Sequence, residues 1–483
     1  MLTDYTGHQP FELEQTSYLT QIKQFLANSL SREERIEFIN FLQGHGTCDF
    51  IAELPTNITS LILQKFTPKE LCALRLVSKA WNKKIIHDSV WRPICKEYSI
   101  IPDDDSSVFN WNTNIPIYYD LFRRSLTMAK TWKTLQCKRT ELKYHKGPVL
   151  SMLITHLTRI FTGDIDGKIH VWNAEEQVYV KSIQAHTSHV SCLASHEQAL
   201  ASGSSDKTIC IHDIKDFRHI LTLRGHEGPV TALAYSTHIN GHFVPLISGS
   251  VDRTIRIWDS QRGICLKILH GQENTISSLT YCPSFPLQFC QSDIEYISVK
   301  ENKAGYIVSG SSDHNIYLWD LKTSLINDVP EVISTIMETN GPITAMAVYD
   351  ENTTECSKNK TINEYISARH PINIPPFVVY ASVWDTTISV FSLPGLERTY
   401  VEAPNRHHGA IWSISVATIH SKILTTSGDR TAVMWDLKSP KKSITLSGFD
   451  SAVVSSAVSP QEEIICFGTE MGTIILLDLQ EFV

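Results

Sequence analysis

The sequence predicts an α plus all-β protein, with a small helical region followed by a seven-bladed β-propeller over residues 132–483. Two observations support this. Segments such as Gly249–Ile255, followed by Trp258-Asp259, recur along the second part of the chain at a base spacing of about 40 to 46 residues, the period of four-stranded propeller blades. Before residue 132 this repeat is absent, and apolar residues recur at helical spacing instead.

The composition is that of an ordinary globular protein. The 483 residues include 43 Lys and Arg and 51 Asp and Glu, a net charge of −8, and 42% are hydrophobic. This balance argues against a protein that neutralises a nucleic-acid backbone, and no window reaches the roughly 18 apolar residues of a membrane span. The start, Met1–Tyr5, lacks a signal-peptide pattern, and the 11 cysteines include no C-x-x-C pair. We expect a protein of the cytoplasm or nucleus, with neither nucleic acid nor membrane as partner.

The helical region contains several amphipathic stretches. Residues 18–41 predict a helix, a cap and a second helix, too short to fold alone. Residues 54–63 predict a helix that follows a proline, and Thr67–Glu70 is a capping box with proline at the first helical position. A third helix is predicted from Ser78 to Ile86, and a longer one over residues 117–132.

The propeller region contains seven repeats, each with short runs that alternate apolar and polar residues and therefore predict strands. Two insertions, Pro283–Ala304 and Asp350–Pro376, fall between the first and second strands of their units, which places both on one face of the disc. A strand-like segment over residues 135–143 is expected to complete the last blade and close the ring. The aromatic or equivalent positions of the repeats are Trp172, His212, Trp258, Trp319, Phe391, Trp435 and Leu477.

Three repeats contain a hydroxyl, a histidine and an aspartate, which resembles a hydrolytic triad. A nucleophile is needed only once, whereas these sets recur blade after blade, so we interpret them as buried hydrogen-bond relays that end on a tryptophan. No other catalytic or nucleotide motif is present, and we predict no catalytic residue, metal or cofactor. The sets are Thr162, His145, Asp166 and Trp172; Ser248, His226, Asp252 and Trp258; and Thr425, His407, Asp429 and Trp435.

The repeats, with the Gly225-His226 pair ahead of a loop aspartate, resemble the WD-repeat family. The Leu54-Pro55 start, the run Leu74–Trp81 and the later Trp91 resemble an F-box, a helical module that binds Skp-family adaptors. Together they are similar to the F-box/WD-repeat proteins, and they predict four segments: residues 1–47, a helical segment; 48–96, the F-box; 97–131, a helical linker; and 132–483, a seven-bladed WD-repeat propeller.

The resemblance implies the substrate-recognition subunit of an SCF-type ubiquitin ligase, itself without catalytic activity. The F-box would bind a Skp-family adaptor and through it a cullin/RING core, and the propeller would hold the protein to be ubiquitinated. A scaffold that does not lead to degradation is the alternative, and a hydrolase is a weaker third. Residues 18–41 either form a homodimer interface or pack as ordinary helices. The predicted adaptor residues are Leu54, Pro55, Ile58, Leu61, Ile62, Leu71 and Leu74.

Client recognition is expected on the propeller face that carries the histidine and aspartate loops. The residues directly after four loop aspartates can be basic, and the family places phosphate-binding arginines at such positions, so a phosphorylated client is one expectation. Other arginine positions of the family's phosphate readers are replaced here by residues such as Val251 and Thr231. An aromatic pocket is therefore the second expectation. The candidate residues are Lys207, Arg253, His314, Trp384, Trp412 and Arg430.

Overall fold

A computed structural model shows how these segments fold. It describes residues 51, 54–97, 117–236, 244–283, 305–326, 332–336, 339, 341–349, 377–384, 386, 388–392, 398–400, 406–437 and 443–480. The described chain divides into two units, with the boundary between Leu126 and Thr127. The predicted N-terminal helical segment, residues 1–47, lies outside the described residues, and so do both alternatives for residues 18–41. The four segment boundaries predicted from the sequence stay predictions.

The first unit is helical, and its helix starts follow local sequence signals. The first helix follows Pro55, the second has the predicted capping box between Thr67 and Glu70, and the third is capped by the Ser78 side chain. A helix with Pro93 in its interior follows, and the last helix begins in this unit and ends in the second. The helices are α1 (Thr56–Leu63), α2 (Pro68–Leu74), α3 (Lys79–Ile85), α4 (Asp88–Glu97) and α5 (Ile117–Thr134).

The core of this unit forms around Trp91, which is fully buried and contacts Phe122 and Tyr119 of α5 with ring centroids 5.0 and 5.1 Å apart. Its indole nitrogen donates to the carbonyl of Ile85 at 2.7 Å. Gln64 donates from its amide to the carbonyl of Ser89, which ties α1 to the start of α4. The helices are therefore held by one aromatic cluster and by side chains that donate hydrogen bonds to backbone carbonyls of neighbouring helices.

The second unit is a seven-bladed propeller with seven four-stranded antiparallel sheets. Blade I contains β2 (Ser151–Ile154), β3 (Arg159–Gly163), β4 (Lys168–Asn173) and β5 (Val178–Gln184). Blade II contains β6 (Val190–His196), β7 (Ala199–Ser204), β8 (Ile209–Asp213) and β9 (His219–Leu223). Blade III contains β10 (Val230–Tyr235), β11 (Pro245–Ser250), β12 (Ile255–Asp259) and β13 (Ile264–Leu269).

The later blades repeat this arrangement. Blade IV contains β14 (Ile276–Cys282), β15 (Tyr306–Ser311), β16 (Ile316–Asp320), a short helix α6 (Leu321–Ile326) and β17 (Val332–Ile336). Blade V contains β18 (Ile343–Tyr349), β19 (Phe377–Ser382), β20 (Ser389–Ser392) and β21 (Arg398–Tyr400). Blade VI contains β22 (Ile411–Ala417), β23 (Lys422–Ser427), β24 (Ala432–Asp436) and β25 (Ser443–Leu446).

The ring closes through the first strand of the unit. Blade VII contains β26 (Val453–Val458), β27 (Ile464–Thr469) and β28 (Thr473–Asp478), and its fourth strand is β1 (Lys138–Lys143), which pairs antiparallel with β28. The predicted closing strand is confirmed, and the pairing removes an exposed sheet edge. Trp132, at the end of α5, packs into the same blade and donates from its indole to the carbonyl of Glu462 at 3.0 Å.

The strand order places the loops on two faces. Loops between the first and second strands of a blade lie on one face, and loops between the second and third strands lie on the other, together with the connections between blades. Both insertions predicted from the sequence separate first and second strands, since they fall between β14 and β15 and between β18 and β19. The opposite face, which we call the relay face, carries the histidine and aspartate loops. Among the described helices, none has the length and apolarity needed to cross a bilayer.

Candidate functional site

The seven residues predicted to contact an adaptor have different environments in the helical unit. Leu54, Ile62 and Leu71 are buried, with at most 2% of their surface exposed. Pro55 and Leu61 are exposed. The structure therefore divides the predicted set: the buried three support the unit, whereas the exposed two can contact another molecule. The remaining two, Ile58 and Leu74, are half-buried.

The backbone that presents Pro55 is held by side chains from elsewhere in the unit. Lys84 of α3 donates from its ammonium to the carbonyl of Leu54 at 2.8 Å, and the hydroxyl of Thr59 donates to the carbonyl of Pro55 at 3.1 Å. The carbonyl of Pro55 also accepts the first backbone hydrogen bond of α1, from the N–H of Thr59 at 3.0 Å. Pro55 and the exposed side of α1 are therefore presented in a fixed conformation.

Two further exposed apolar residues were not among the predicted adaptor residues. Leu76 and Val77, between α2 and α3, are 87% and 61% exposed, the highest values among the large apolar residues that the structure describes in this unit. In the sequence, Leu76 continues the helical run that follows the capping box. Because α2 ends at Leu74, the helical period no longer applies there. Such exposure in two adjacent apolar residues favours a binding surface.

The relay predicted for the propeller is complete in blade III. The Nε2 atom of His226 lies 2.7 Å from the hydroxyl of Ser248, its Nδ1 atom lies 2.7 Å from the carboxylate of Asp252, and Trp258 donates from its indole to Ser248 at 2.8 Å. Burial opposes ionisation of Asp252, but hydrogen bonds from His226 and Thr254 outweigh it and hold the pKa of this carboxyl below its usual range. The predicted relay of blade VI, with His407, is also complete.

The relay predicted for blade I is wrong in one member. His145 lies 2.7 Å from Thr162, and Trp172 donates to the same hydroxyl, as predicted. Asp166, however, is exposed, and the Nδ1 atom of His145 is buried without a hydrogen-bond partner. Asp164, two residues earlier, takes the buried position and lies 3.0 Å from Nε2 of His170.

A local difference in sequence explains why Asp164, and not Asp166, takes the buried position in blade I. In blade III the loop aspartate is oriented by Thr254, whose hydroxyl donates to it at 2.6 Å, while Ser250 accepts from the backbone N–H of Asp252. In blade I the corresponding positions hold Lys168, which has no hydroxyl, and Asp164, whose carboxylate accepts from the N–H groups of both Asp166 and Lys168. The carboxylate of Asp164 is the stronger acceptor, and it organises the turn in place of Asp166.

Other blades keep parts of the relay. In blade II, His186 contacts both Ser202 and Asp206, but the tryptophan is replaced by His212, whose buried Nδ1 atom lacks a partner. In blade IV, Gln272 replaces the histidine and donates to Ser309. In blade VII, Phe449 and Phe467 pack edge to face, with ring centroids 5.5 Å apart. Packing replaces polar pairing at these two positions.

The hydroxyls of these sets are inaccessible to a substrate. Ser248, Thr162 and Thr425 have no exposed surface, and each accepts a hydrogen bond from the indole of its own blade. A nucleophile must approach a substrate carbon within van der Waals distance, which a fully buried hydroxyl cannot do. This geometry favours a structural role for the sets over the hydrolase alternative.

The predicted basic positions lie on the relay face in an unusual backbone conformation. Lys207, Arg253, His314 and Arg430 have φ values of 71°, 68°, 69° and 65°, in the left-handed region, where glycine normally occurs. Lys207, Arg253 and Arg430 are exposed. His314 is half-buried and its ring lies edge-on to Trp384, with centroids 5.7 Å apart, so it is less available to a ligand than the other three.

The two predicted aromatic residues are exposed and are supported by glycines. Trp384 is 66% exposed and Trp412 is 47% exposed, in the neighbouring blades V and VI. A Cβ atom on Gly341 would lie 2.8 Å from the indole of Trp384, and one on Gly428 would lie 3.1 Å from that of Trp412. Each indole thus lies directly against glycine backbone. The relay face also exposes Val251 in blade III.

Two family models match the chain. An F-box-like model matches residues 51–97, which contain α1 to α4. A model described as WD domain, G-beta repeat, matches residues 135–173, 177–213, 217–259, 263–320 and 400–436. The two models match the helical unit and blades that the structure shows independently.

Curated relatives include proteins of both yeast and human origin. The chain is 25% identical over 217 residues to WD repeat-containing protein pop2 of Schizosaccharomyces pombe, covering 42% of this chain and 31% of that protein. It is 24% identical over 223 residues to cell division control protein 4 of Saccharomyces cerevisiae, covering 43% and 28%. It is 27% identical over 132 residues to F-box/WD repeat-containing protein 8 of Homo sapiens, covering 27% and 22%. In each case the match spans less than a third of the relative's length.

Proposed function

This chain belongs to the F-box/WD-repeat proteins, and from that premise we propose that it is the substrate-recognition subunit of an SCF-type ubiquitin ligase. The helical unit binds a Skp-family adaptor, through which a cullin/RING core is recruited, and the propeller binds the protein to be ubiquitinated. Catalysis belongs to the other subunits. Tethering raises the effective concentration of client lysines near the activated ubiquitin, which is the whole contribution of this chain. Its place of action is the cytoplasm or nucleus, and a reducing compartment agrees with the absence of disulfides among the described cysteines.

The observation that carries the proposal is that each unit exposes residues suited to binding. In the helical unit, Pro55 and Leu61 lie beside buried residues that form its core, and Leu76 is 87% exposed. In the propeller, two tryptophans and three basic residues are exposed on one face. A chain with an exposed binding surface in each of two units is suited to bring two proteins together.

Adaptor binding is tested by co-purification with a Skp-family adaptor. Leu61→Glu places a charge on the exposed side of α1, and we expect at least tenfold less adaptor, because a charge cannot be buried in an apolar interface without a partner. Leu266→Glu, a leucine 39% exposed on blade III, is the matched control and should bind as wild type. Leu54 is unsuitable for this test, since truncating a residue that is 2% exposed also weakens the core.

Two results would contradict adaptor binding. One is that wild type fails to retain the adaptor, and the other is that Leu61→Glu retains as much of it as Leu266→Glu does. Thermal melting of both variants shows whether the helical unit is still folded. A Leu76→Glu variant then determines whether the second exposed patch contributes to the same interface.

For the client, the geometry supports aromatic contact more than phosphate recognition. Trp384 and Trp412 expose large apolar surfaces, whereas the charge is spread over Lys207, Arg253 and Arg430 on three different blades. Aromatic residues fixed against a backbone are typical anchors of protein interfaces. We therefore expect Trp412→Ala to weaken client capture at least tenfold, and phosphatase treatment of the client to leave capture unchanged. Loss of capture after phosphatase, with the same loss in Arg253→Glu, would favour the phosphopeptide alternative.

Client abundance distinguishes a ligase from a scaffold. If the chain directs degradation, a client that still binds Leu61→Glu should accumulate in cells that express this variant in place of wild type. Unchanged client levels and half-life, with adaptor binding lost, would favour the non-degradative scaffold. Leu266→Glu is again the control, because it should leave both binding surfaces intact.

A further inference from the structure

Blade I contains a cluster of ligating side chains at one end of its relay. His145, in the segment between β1 and β2, Asp164, between β3 and β4, and His170, on β4, each place one ligating atom so that these atoms all lie within 4.8 Å of one another. Asp164 and His170 are 7% and 5% exposed. The cluster lies on the relay face, at the point where the closing strand of the ring continues into blade I.

The two imidazoles are incompletely satisfied by the protein. The Nδ1 atoms of both His145 and His170 are buried and have no hydrogen-bond partner. The corresponding histidine of blade III, His226, has both ring nitrogens paired, with Ser248 and Asp252. Since an unpaired buried polar atom costs free energy, two of them within one cluster require an explanation.

We propose that His145, Asp164 and His170 bind one divalent transition-metal ion, and that this ion is Zn²⁺. Two imidazoles and one carboxylate are a ligand set typical of zinc, whereas magnesium and calcium prefer oxygen ligands alone. Bonds of about 2.1 Å at the tetrahedral angle place ligand atoms about 3.4 Å apart. The Nε2 atom of His170 and the carboxylate of Asp164 already lie 3.0 Å apart, close to this separation.

The surroundings of His145 are those of a metal ligand. Metal-bound histidines usually donate their second ring N–H to a neighbouring acceptor, which fixes the tautomer. The Nε2 atom of His145 lies 2.7 Å from the hydroxyl of Thr162, which leaves Nδ1 as the available ligand atom.

The ion would act as a structural clamp at the ring closure. The backbone of His145 packs against the turn of blade VII, because a Cβ atom on Gly472 would lie 2.8 Å from the carbonyl oxygen of His145. A metal that joins His145 to Asp164 and His170 therefore fixes the segment that follows the closing strand β1 to blade I. Binding to the folded state alone also raises the melting temperature.

The test is titration of the metal-free, full-length chain with ZnCl₂, followed by calorimetry. We expect one zinc ion per chain, and at least tenfold weaker binding in His170→Gln and in Asp164→Asn. Asp164→Asn retains one acceptor oxygen for the turn N–H groups, so it keeps the proposal testable if His170→Gln does not fold. Asp166→Asn, an exposed neighbour outside the cluster, is the matched control and should bind zinc as wild type.

Cobalt substitution identifies the ligands. Co²⁺ in this site should show the visible bands of a four- or five-coordinate ion without thiolate charge-transfer bands, which would appear if cysteines held the metal instead. Zinc should also raise the melting temperature of wild type and of Asp166→Asn, but not that of Asp164→Asn. The proposal is overturned if wild type binds no zinc, if thiolate bands appear, or if His170→Gln and Asp164→Asn bind zinc as wild type.

Discussion

Blades I and III contain the same four kinds of relay residue at matching sequence positions, yet they use them differently. In blade III the loop aspartate, Asp252, accepts a hydrogen bond from His226. In blade I the corresponding Asp166 is exposed, and the histidine at the equivalent position, His145, has an unpartnered Nδ1 atom. The difference follows from two neighbouring positions, where blade I has Asp164 in place of Ser250 and Lys168 in place of Thr254.

The relay motif is thus larger than its four residues. The threonine two positions after the loop aspartate orients the carboxylate in blades II, III and VI, with hydroxyl to carboxylate distances of 2.6 Å. Where the threonine is absent and a second carboxylate is available, the turn reorganises around the stronger acceptor. A match to the four residues alone therefore overpredicts complete relays.

The largest expected effect comes from removing the aspartate that the relay uses. Asp252→Ala leaves His226 Nδ1, the N–H of Glu227 and the N–H of Thr254 without their acceptor. Each buried group left unpaired costs about 1–3 kcal/mol, and water can replace part of the lost hydrogen bonding. We therefore expect the free energy of unfolding of the propeller to fall by about 3 kcal/mol. Chemical denaturation monitored on the propeller measures the change in free energy of unfolding.

Asp166→Ala is the paired variant in blade I. Its carboxylate is exposed and belongs to no relay, so we expect the free energy of unfolding to fall by less than about 0.5 kcal/mol. Equal losses of stability for Asp166→Ala and Asp252→Ala would mean that Asp166 does take part in the relay of blade I. Asp164→Ala should lower the free energy of unfolding about as much as Asp252→Ala does, because His170 and the N–H groups of Asp166 and Lys168 lose their acceptor.

The next largest expected effect is a dependence of stability on pH, which arises in blade II and has no counterpart at the tryptophan of blade III. His212 replaces the tryptophan of the relay, and its pKa is lowered to about 4 by burial and by repulsion from His219 and His186. In the unfolded chain the pKa of histidine is about 6.5. Between these values the unfolded state binds a proton that the folded state does not, so stability falls as the pH drops from about 6.5 to about 4. At about 1.4 kcal/mol per pKa unit, the loss of stability from this residue is at most about 3.5 kcal/mol.

His212→Phe should therefore reduce the fall in melting temperature between pH 7 and pH 4.5, because phenylalanine, like the tryptophan of blade III, cannot titrate. His156→Phe, at an exposed position, should leave that fall unchanged. A His212→Phe variant with the same pH dependence as wild type would show that another group is responsible for the acid sensitivity.

The smallest effect is expected in blade VII, where apolar residues replace the relay. Met471 occupies the position of the loop aspartate and is 70% exposed. Met471→Ala should change the free energy of unfolding by less than about 0.5 kcal/mol, because little apolar surface is lost from the core. Thermal melting of Met471→Ala and of Asp252→Ala tests this order of effects. Equal shifts in melting temperature for the two variants would contradict it.

Much of the fold could be predicted because its signals are local. The capping box of Thr67 and Glu70, the cap at Ser78 and the closing strand before residue 143 each depend on a few consecutive residues, and the structure confirms all three. Helix α4 could not be predicted from the sequence, which singles out only Trp91 in this stretch. Pro93 lies in the interior of the helix and disrupts the usual helical pattern.

The candidate surfaces were less predictable. Seven apolar residues of the F-box region look alike in sequence, but Leu54 is 2% exposed and Leu61 is 47% exposed. The helical spacing of the sequence includes Leu76, which lies beyond the end of α2 and is more exposed than either, at 87%. Which apolar side chains face outward depends on how α1, α2 and α3 pack on Trp91, and hydrophobic periodicity along the chain contains no such information.

The sequence by itself determined the period of the repeat, the number of blades and the family, because strand length, turn chemistry and apolar alternation are properties of neighbouring residues. Only the tertiary structure decided which carboxylate approaches which histidine. His145 and His170 are 25 residues apart in sequence, and their ring centroids lie 4.2 Å apart. Hydrogen bonds and metal ligation depend on distances across loops, and those distances are set only when the sheets pack.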